Sequence, residues 1–132
     1  MFRIKFCREI LLKLLYQSDI MGTPELDSQM MLVEGKPFYK ELTEAESEFI
    51  RTTIDTIRQN REKIDKIISE NLIGWKIERL NPIDRSLLRM GISESYHNDQ
   101  KAIIIDDIIR IAKKYGEEDS YKIINAVLDK VL

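Results

Sequence analysis

The sequence predicts an all-α fold, a single compact domain of about six to seven helices over residues 1–132, and three observations lead there. The chain has only five glycines and three prolines in 132 residues, too few for the tight turns of an all-β protein. Apolar residues recur at three-and-four spacing through most of its length. Charged residues make up 33% of the chain and fall between those apolar positions, as they do on the solvated faces of amphipathic helices. At this length about two thirds of the unfolded surface is buried on folding, enough for one core and not for two.

The first helix is expected from about Phe2 to Ser18. Ile4, Cys7, Leu11, Leu14 and Leu15 share one face of it, Arg3 and Arg8 flank that stripe, and Lys5, Phe6, Lys13 and Tyr16 point elsewhere. Between Met21 and Leu42 the sequence holds Gly22, Pro24, Gly35 and Pro37, so irregular chain around one short helix over residues 26–33 is expected. Thr43 and Glu46 have capping-box spacing and open a long run carrying Phe49, Ile50, Ile54, Ile57, Ile64, Ile67 and Ile68, with a break expected near Asn60. Gly74 and Trp75 mark a turn. Asn81 then caps a helix with Pro82 in its first turn, running to about Tyr96 and burying Ile83, Leu87 and Leu88. Beyond a polar loop, Ile104, Ile105, Ile108, Ile111, Ala112 and Tyr115 form the next stripe. Lys113 and Lys114 suit its negative C-terminal end, and Gly116 is expected to stop it in the left-handed conformation. Asp119 or Ser120 should cap the last helix, whose stripe is Ile124, Val127, Leu128 and Val131.

Several function classes fall away. No apolar run approaches membrane-spanning length, and Arg3, Lys5, Arg8 and Glu9 interrupt the place where a secretory signal needs its apolar core, so a cytoplasmic protein is expected. One cysteine, Cys7, and one histidine, His97, cannot make a zinc cluster; Cys7 reads as a buried apolar residue and His97 as a solvated loop residue. The glycines form no phosphate-binding loop, Asp106 and Asp107 lack the spacing of a calcium loop, and the remaining carboxylates alternate with Lys and Arg on solvated faces. No catalytic constellation and no cofactor are expected.

Charge distribution says more. The chain carries a net charge of −2, yet its first eighteen residues hold Arg3, Lys5, Arg8 and Lys13 against Glu9 alone. Such a cationic helix can neutralise phosphates, and Tyr16 or Phe6 can offer a ring to an unpaired base. A solvated amphipathic helix is the plain alternative.

Three blocks of sequence in order carry a resemblance. Arg8-Glu9 followed by Leu12, Leu15, Tyr16 and Gln17 resembles the R-E-x-x-L-x-x-L-Y-Q pattern of the NusB family. Trp75, Arg79, Leu80 and IDRSLLRMGISE are similar to its W-x-x-x-R-L segment and the D-R-x-x-L-R helix. AKKYGEEDSYKIINAVLDKVL resembles the closing A-K-K-F-G-x-E-D-S-x-K-F-V-N-G-V-L-D-K-I. The resemblance implies two three-helix-like subdomains and a non-catalytic antitermination factor. It also implies binding of the boxA element of ribosomal RNA transcripts together with NusE, so that RNA polymerase reads through terminators. By the same resemblance Arg3, Lys5, Arg8, Tyr16 and Asp119 are the expected RNA-binding residues and Asp84 the expected contact to NusE. Ile123 stands where the family usually has phenylalanine, which removes a stacking ring there and shifts expected affinity toward the first helix and NusE. Two rival readings are a helical interaction module, self-associating as a homodimer without an RNA role, and an RNA cytosine methyltransferase with a NusB-like domain. The latter would need a cofactor-binding glycine motif that this sequence lacks.

Overall fold

The computed structural model describes residues 1–22, 41–74 and 76–132. The short helix expected over residues 26–33 and the turn residue Trp75 lie outside these. Six α-helices are present among the described residues: α1 (Ile4–Met21), α2 (Glu44–Gln59), α3 (Arg61–Glu70), α4 (Pro82–Ser95), α5 (Lys101–Tyr115) and α6 (Ser120–Val131), with a 3₁₀ turn at Ile77–Arg79. None of them is long and apolar enough to cross a membrane.

α4 is the hub. It packs on α1, α2 and α3 to one side and on α5 and α6 to the other, so the two helix groups share one continuous core. Leu87 and Leu88 of α4 are fully buried there beside Leu11 and Leu14 of α1, Ile54 and Ile57 of α2, Ile104 and Ile108 of α5, and Ile124 and Leu128 of α6. Each such side chain contributes about 1.5–3 kcal/mol by leaving water.

The local signals act where the sequence places them. Thr43 Oγ1 accepts from the Glu46 N–H at 3.1 Å while Glu46 Oε1 accepts from the Thr43 N–H at 2.9 Å, the two halves of a capping box. Asn60 separates α2 from α3, and Asn81 Oδ1 accepts from the Ile83 N–H at 2.9 Å to cap α4 behind Pro82. α1 runs a turn longer than expected, stopping at Gly22, which adopts φ 66°. Its buried face is also wider: Ile10 and Leu12 join the stripe.

Gly116 departs from expectation. α5 does end at Tyr115, but Gly116 is extended (φ −86°, ψ −179°), not left-handed. Space decides the residue: a Cβ there would lie 2.7 Å from the Ala112 carbonyl oxygen and 2.8 Å from Ser120 Cβ. The missing side chain lets α6 start against the last turn of α5.

Candidate nucleic-acid interface

α1 sorts its charged residues by helical phase. Lys5, Lys13 and Tyr16 fall on its outer face and are exposed, Tyr16 at 40%. Glu9, on the same side, is covered by α5. Its carboxylate accepts from Tyr115 Oη at 2.7 Å, Lys114 Nζ at 2.8 Å and Arg110 Nη1 at 3.1 Å. Burial alone would raise the Glu9 carboxyl, but the bonds from Lys114, Tyr115 and Arg110 override it and hold it at about 2. The cationic C-terminal turn of α5 is thereby fastened beside α1, and next to it Lys113 Nζ lies 4.8 Å from the centroid of the Tyr121 ring.

Arg3 and Arg8 meet opposite environments. Arg3 donates from its backbone N–H (2.8 Å) and Nε (2.9 Å) to Glu46 Oε2, and from Nη2 to Glu46 Oε1 and the Glu41 carbonyl, both at 3.0 Å. Its side chain remains 34% exposed, whereas Glu46 is wholly buried. The hydrogen bond from Arg3, then that from the Thr43 N–H, hold the Glu46 carboxyl at about 2.

Arg8, which the resemblance implies as an RNA-binding residue, lies in the interior. Its guanidinium is 1% exposed and enclosed by carboxylates: Nε and Nη2 donate to Glu94, and Nη1 donates to Asp107 Oδ2 at 2.8 Å. Asp107 also accepts from Arg110 Nε at 2.6 Å. In this arrangement Arg8 offers nothing to a phosphate; it locks α1 to α4 and α5. The sequence showed a cation beside an apolar stripe but not the carboxylates it meets across the fold. A usable signal was present: Asp107 lies between Ile104 and Ile108 on a core face, and an acid there needs a cationic partner. Arg85 and Arg89 of α4 are likewise taken up, Arg85 by Asp19 and the Leu80 carbonyl, Arg89 by both oxygens of Asp65.

The expected acidic residues share one pocket of about 460 Å³, lined by Arg79, Asn81, Asp84, Glu117, Glu118, Asp119, Ser120 and Ile123. Asp119 stands at the N-terminus of α6, yet its side chain makes no capping bond; it is largely exposed and pairs with Lys122 Nζ at 3.2 Å. Ser120, the first residue of α6, turns back to the loop before it, its Oγ accepting from the Glu117 N–H at 3.0 Å. Asp84 is 5% exposed, and its Oδ1 has no hydrogen-bond partner among the described residues. Burial raises the Asp84 carboxyl above its ordinary value against the opposing bond from Ser120. Tyr16 and Lys5 thus belong to the α1 surface, Asp84 and Asp119 to this acidic pocket, and Arg8 to neither.

Cys7 is fully buried with its thiol pushed up to about 11, mainly by burial, and so is inert packing. His97 is exposed in the loop after α4, its Nε2 2.9 Å from Thr56 Oγ1. No group of three His, Cys, Asp or Glu residues among the described residues is arranged to hold a metal ion.

Comparison with known proteins agrees with this architecture. The NusB family model matches residues 7–132. The transcription antitermination protein NusB of Ruminiclostridium cellulolyticum is 35% identical over 126 residues, covering 94% of this chain and 84% of that protein. NusB of Bacillus cereus is 34% identical over 128 residues, covering 94% and 92%. Among solved structures, T. maritima NusB superposes with a TM-score of 0.87 at 29% identity, covering 96% of this chain and 88% of that one. A chain from a complex of the antitermination factors NusB and NusE with double-stranded RNA superposes with a TM-score of 0.85 at 27% identity, covering 99% and 97%. With its helices, its core and nearly its whole length matched, the chain belongs to the NusB family.

Proposed function

We propose that this protein is a transcription antitermination factor that binds boxA-type single-stranded RNA of ribosomal transcripts together with NusE and promotes read-through by RNA polymerase. The observation that carries the reading is the match to NusB proteins over nearly the whole chain, including a relative solved together with NusE and double-stranded RNA. The geometry fits a binding adaptor. Lys5 and Lys13 supply phosphate contacts from the exposed face of α1, Arg3 adds one at its N-terminal end, and Tyr16 presents a ring to an unpaired base. Asp119, free of capping duty, is open to a base edge, and Asp84 forms the wall of a pocket whose acidic rim suits a cationic side chain of NusE. A factor acting on nascent transcripts works in the cytoplasm and needs no catalytic group.

The test is a titration of labelled boxA-type RNA with and without NusE, using a scrambled single strand and a duplex of the same sequence as competitors. Preference for the boxA-type strand, strengthened by NusE and weakened steeply by salt, is expected. Equal binding of the scrambled strand with NusE present would refute the reading. Sedimentation of the protein alone tests the homodimer separately.

A further inference from the structure

An arginine side chain carries five N–H donors in a planar fork. In Arg3 the Nε hydrogen goes to Glu46 Oε2, and the two on Nη2 go to Glu46 Oε1 and the Glu41 carbonyl. Both Nη1 hydrogens are left, since no hydrogen bond among the described residues uses that nitrogen. The plane is fixed as well as the edge: the guanidinium carbon lies 4.7 Å from the centroid of the Phe6 ring, one turn along α1. Glu46 is itself immobile, being wholly buried and the third residue of the α2 capping box.

Resting on the RNA-binding reading above, we infer that Glu46, assisted by Phe6, is a positioning residue. It holds Arg3 with its Nη1 edge outward, ready to donate to a backbone phosphate of the RNA. The carboxylate does not compete with the RNA for Arg3, because leaving a buried carboxylate without its cation is costly. Instead it removes the rotamer freedom that a long side chain otherwise loses on binding. The pair serves the interface from a helix, α2, whose sequence gives no sign of an RNA role.

The direction of one substitution separates this from plain electrostatics. Glu46→Gln deletes a negative charge near the RNA, so long-range attraction alone predicts tighter binding. Positioning predicts the reverse: roughly three- to tenfold weaker binding of a labelled boxA-type RNA in the presence of NusE. That loss should vanish in an Arg3→Ala background, which is already about tenfold weakened, and Phe6→Leu should show a smaller loss with the same dependence on Arg3. Thr43→Ala, which breaks the capping box but spares the Arg3–Glu46 pair, controls for helix destabilisation and should keep wild-type affinity. Where Glu46→Gln is too poorly folded to assay, Glu46→Asp, which shortens the carboxylate and misplaces the fork, replaces it. Unchanged or tighter binding by the Glu46 variant while wild type binds boxA-type RNA would overturn the inference alone; no RNA preference in wild type would overturn the reading beneath it as well.

Discussion

The N-terminal rim around Arg3 and the interior site around Arg8 hold the same side chain little more than a helical turn apart, and the fold uses it in opposite ways. Arg8 is surrounded on every donor side by Glu94 and Asp107 and is sealed from solvent. Arg3 is clamped by a single carboxylate, Glu46, with a third of its side chain in water. A buried arginine with two carboxylates spends its hydrogen-bonding capacity inside the molecule, whereas one at the rim keeps donors for a ligand. Charge read along a sequence counts both as basic surface; burial divides them.

Breaking the interior site should have the largest effect. Arg8→Ala leaves Glu94 buried without its cation and Asp107 with Arg110 alone, and should destabilise the protein by about 3–5 kcal/mol, read as a fall in the midpoint of thermal unfolding by circular dichroism. Replacing all three with apolar residues of similar volume, Arg8→Met with Glu94→Met and Asp107→Leu, should recover most of that loss. If Arg8→Ala melts like wild type, the site is not the lock described here. At the rim the order reverses: Arg3→Ala should shift the melting midpoint less than Arg8→Ala does while weakening RNA binding, and a larger loss of stability than at Arg8 would collapse the distinction.

Acid should sharpen the same contrast. Glu46 and Glu9 have folded-state values of about 2, depressed from 4.5, so the stability they contribute is complete above about 4.5 and is lost as pH falls through about 2. Wild type should therefore lose stability across that window, and Glu46→Gln should flatten part of the slope. Parallel pH profiles for the two proteins would remove Glu46 from the account. The smallest effect is expected at Asp84, whose folded-state value is raised by burial with no cation against it. Its ionised form is penalised in the folded protein above the ordinary carboxylate range, and that penalty is relieved on acidification. Asp84→Asn should leave stability at neutral pH unchanged or slightly higher, with the difference disappearing as pH falls; a marked loss at neutral pH would show that the carboxylate is needed.

The fold was legible because its signals are local. Thr43 with Glu46, Asn81 with Pro82, and the isoleucine stripe ending at Tyr115 each act within a few residues, and each forms where the sequence places it. What could not be read depends on separation in sequence. The partners of Arg8 lie 86 and 99 residues away, and the partners of Glu9 on α5 more than 100. Gly116 misled for a related reason: its glycine answers the close approach of Ser120 and not a backbone angle. The spacing of Thr43 and Glu46 marks Glu46 as a capping residue, but its ion pair depends on Arg3, 43 residues earlier. Lys5, Lys13 and Tyr16 are exposed as helical phase required, which was as much of the candidate surface as periodicity alone could define.

The measurement that bears most directly on the central claim, that Arg3 serves the RNA while Arg8 serves the fold, is the salt dependence of boxA-type RNA binding with NusE present, for wild type and Arg3→Ala. Loss of one phosphate contact should reduce the slope of log K against log salt by about 0.7, the value for a single strand. Parallel lines of equal affinity would contradict the account and leave Arg3 as one more internal clamp.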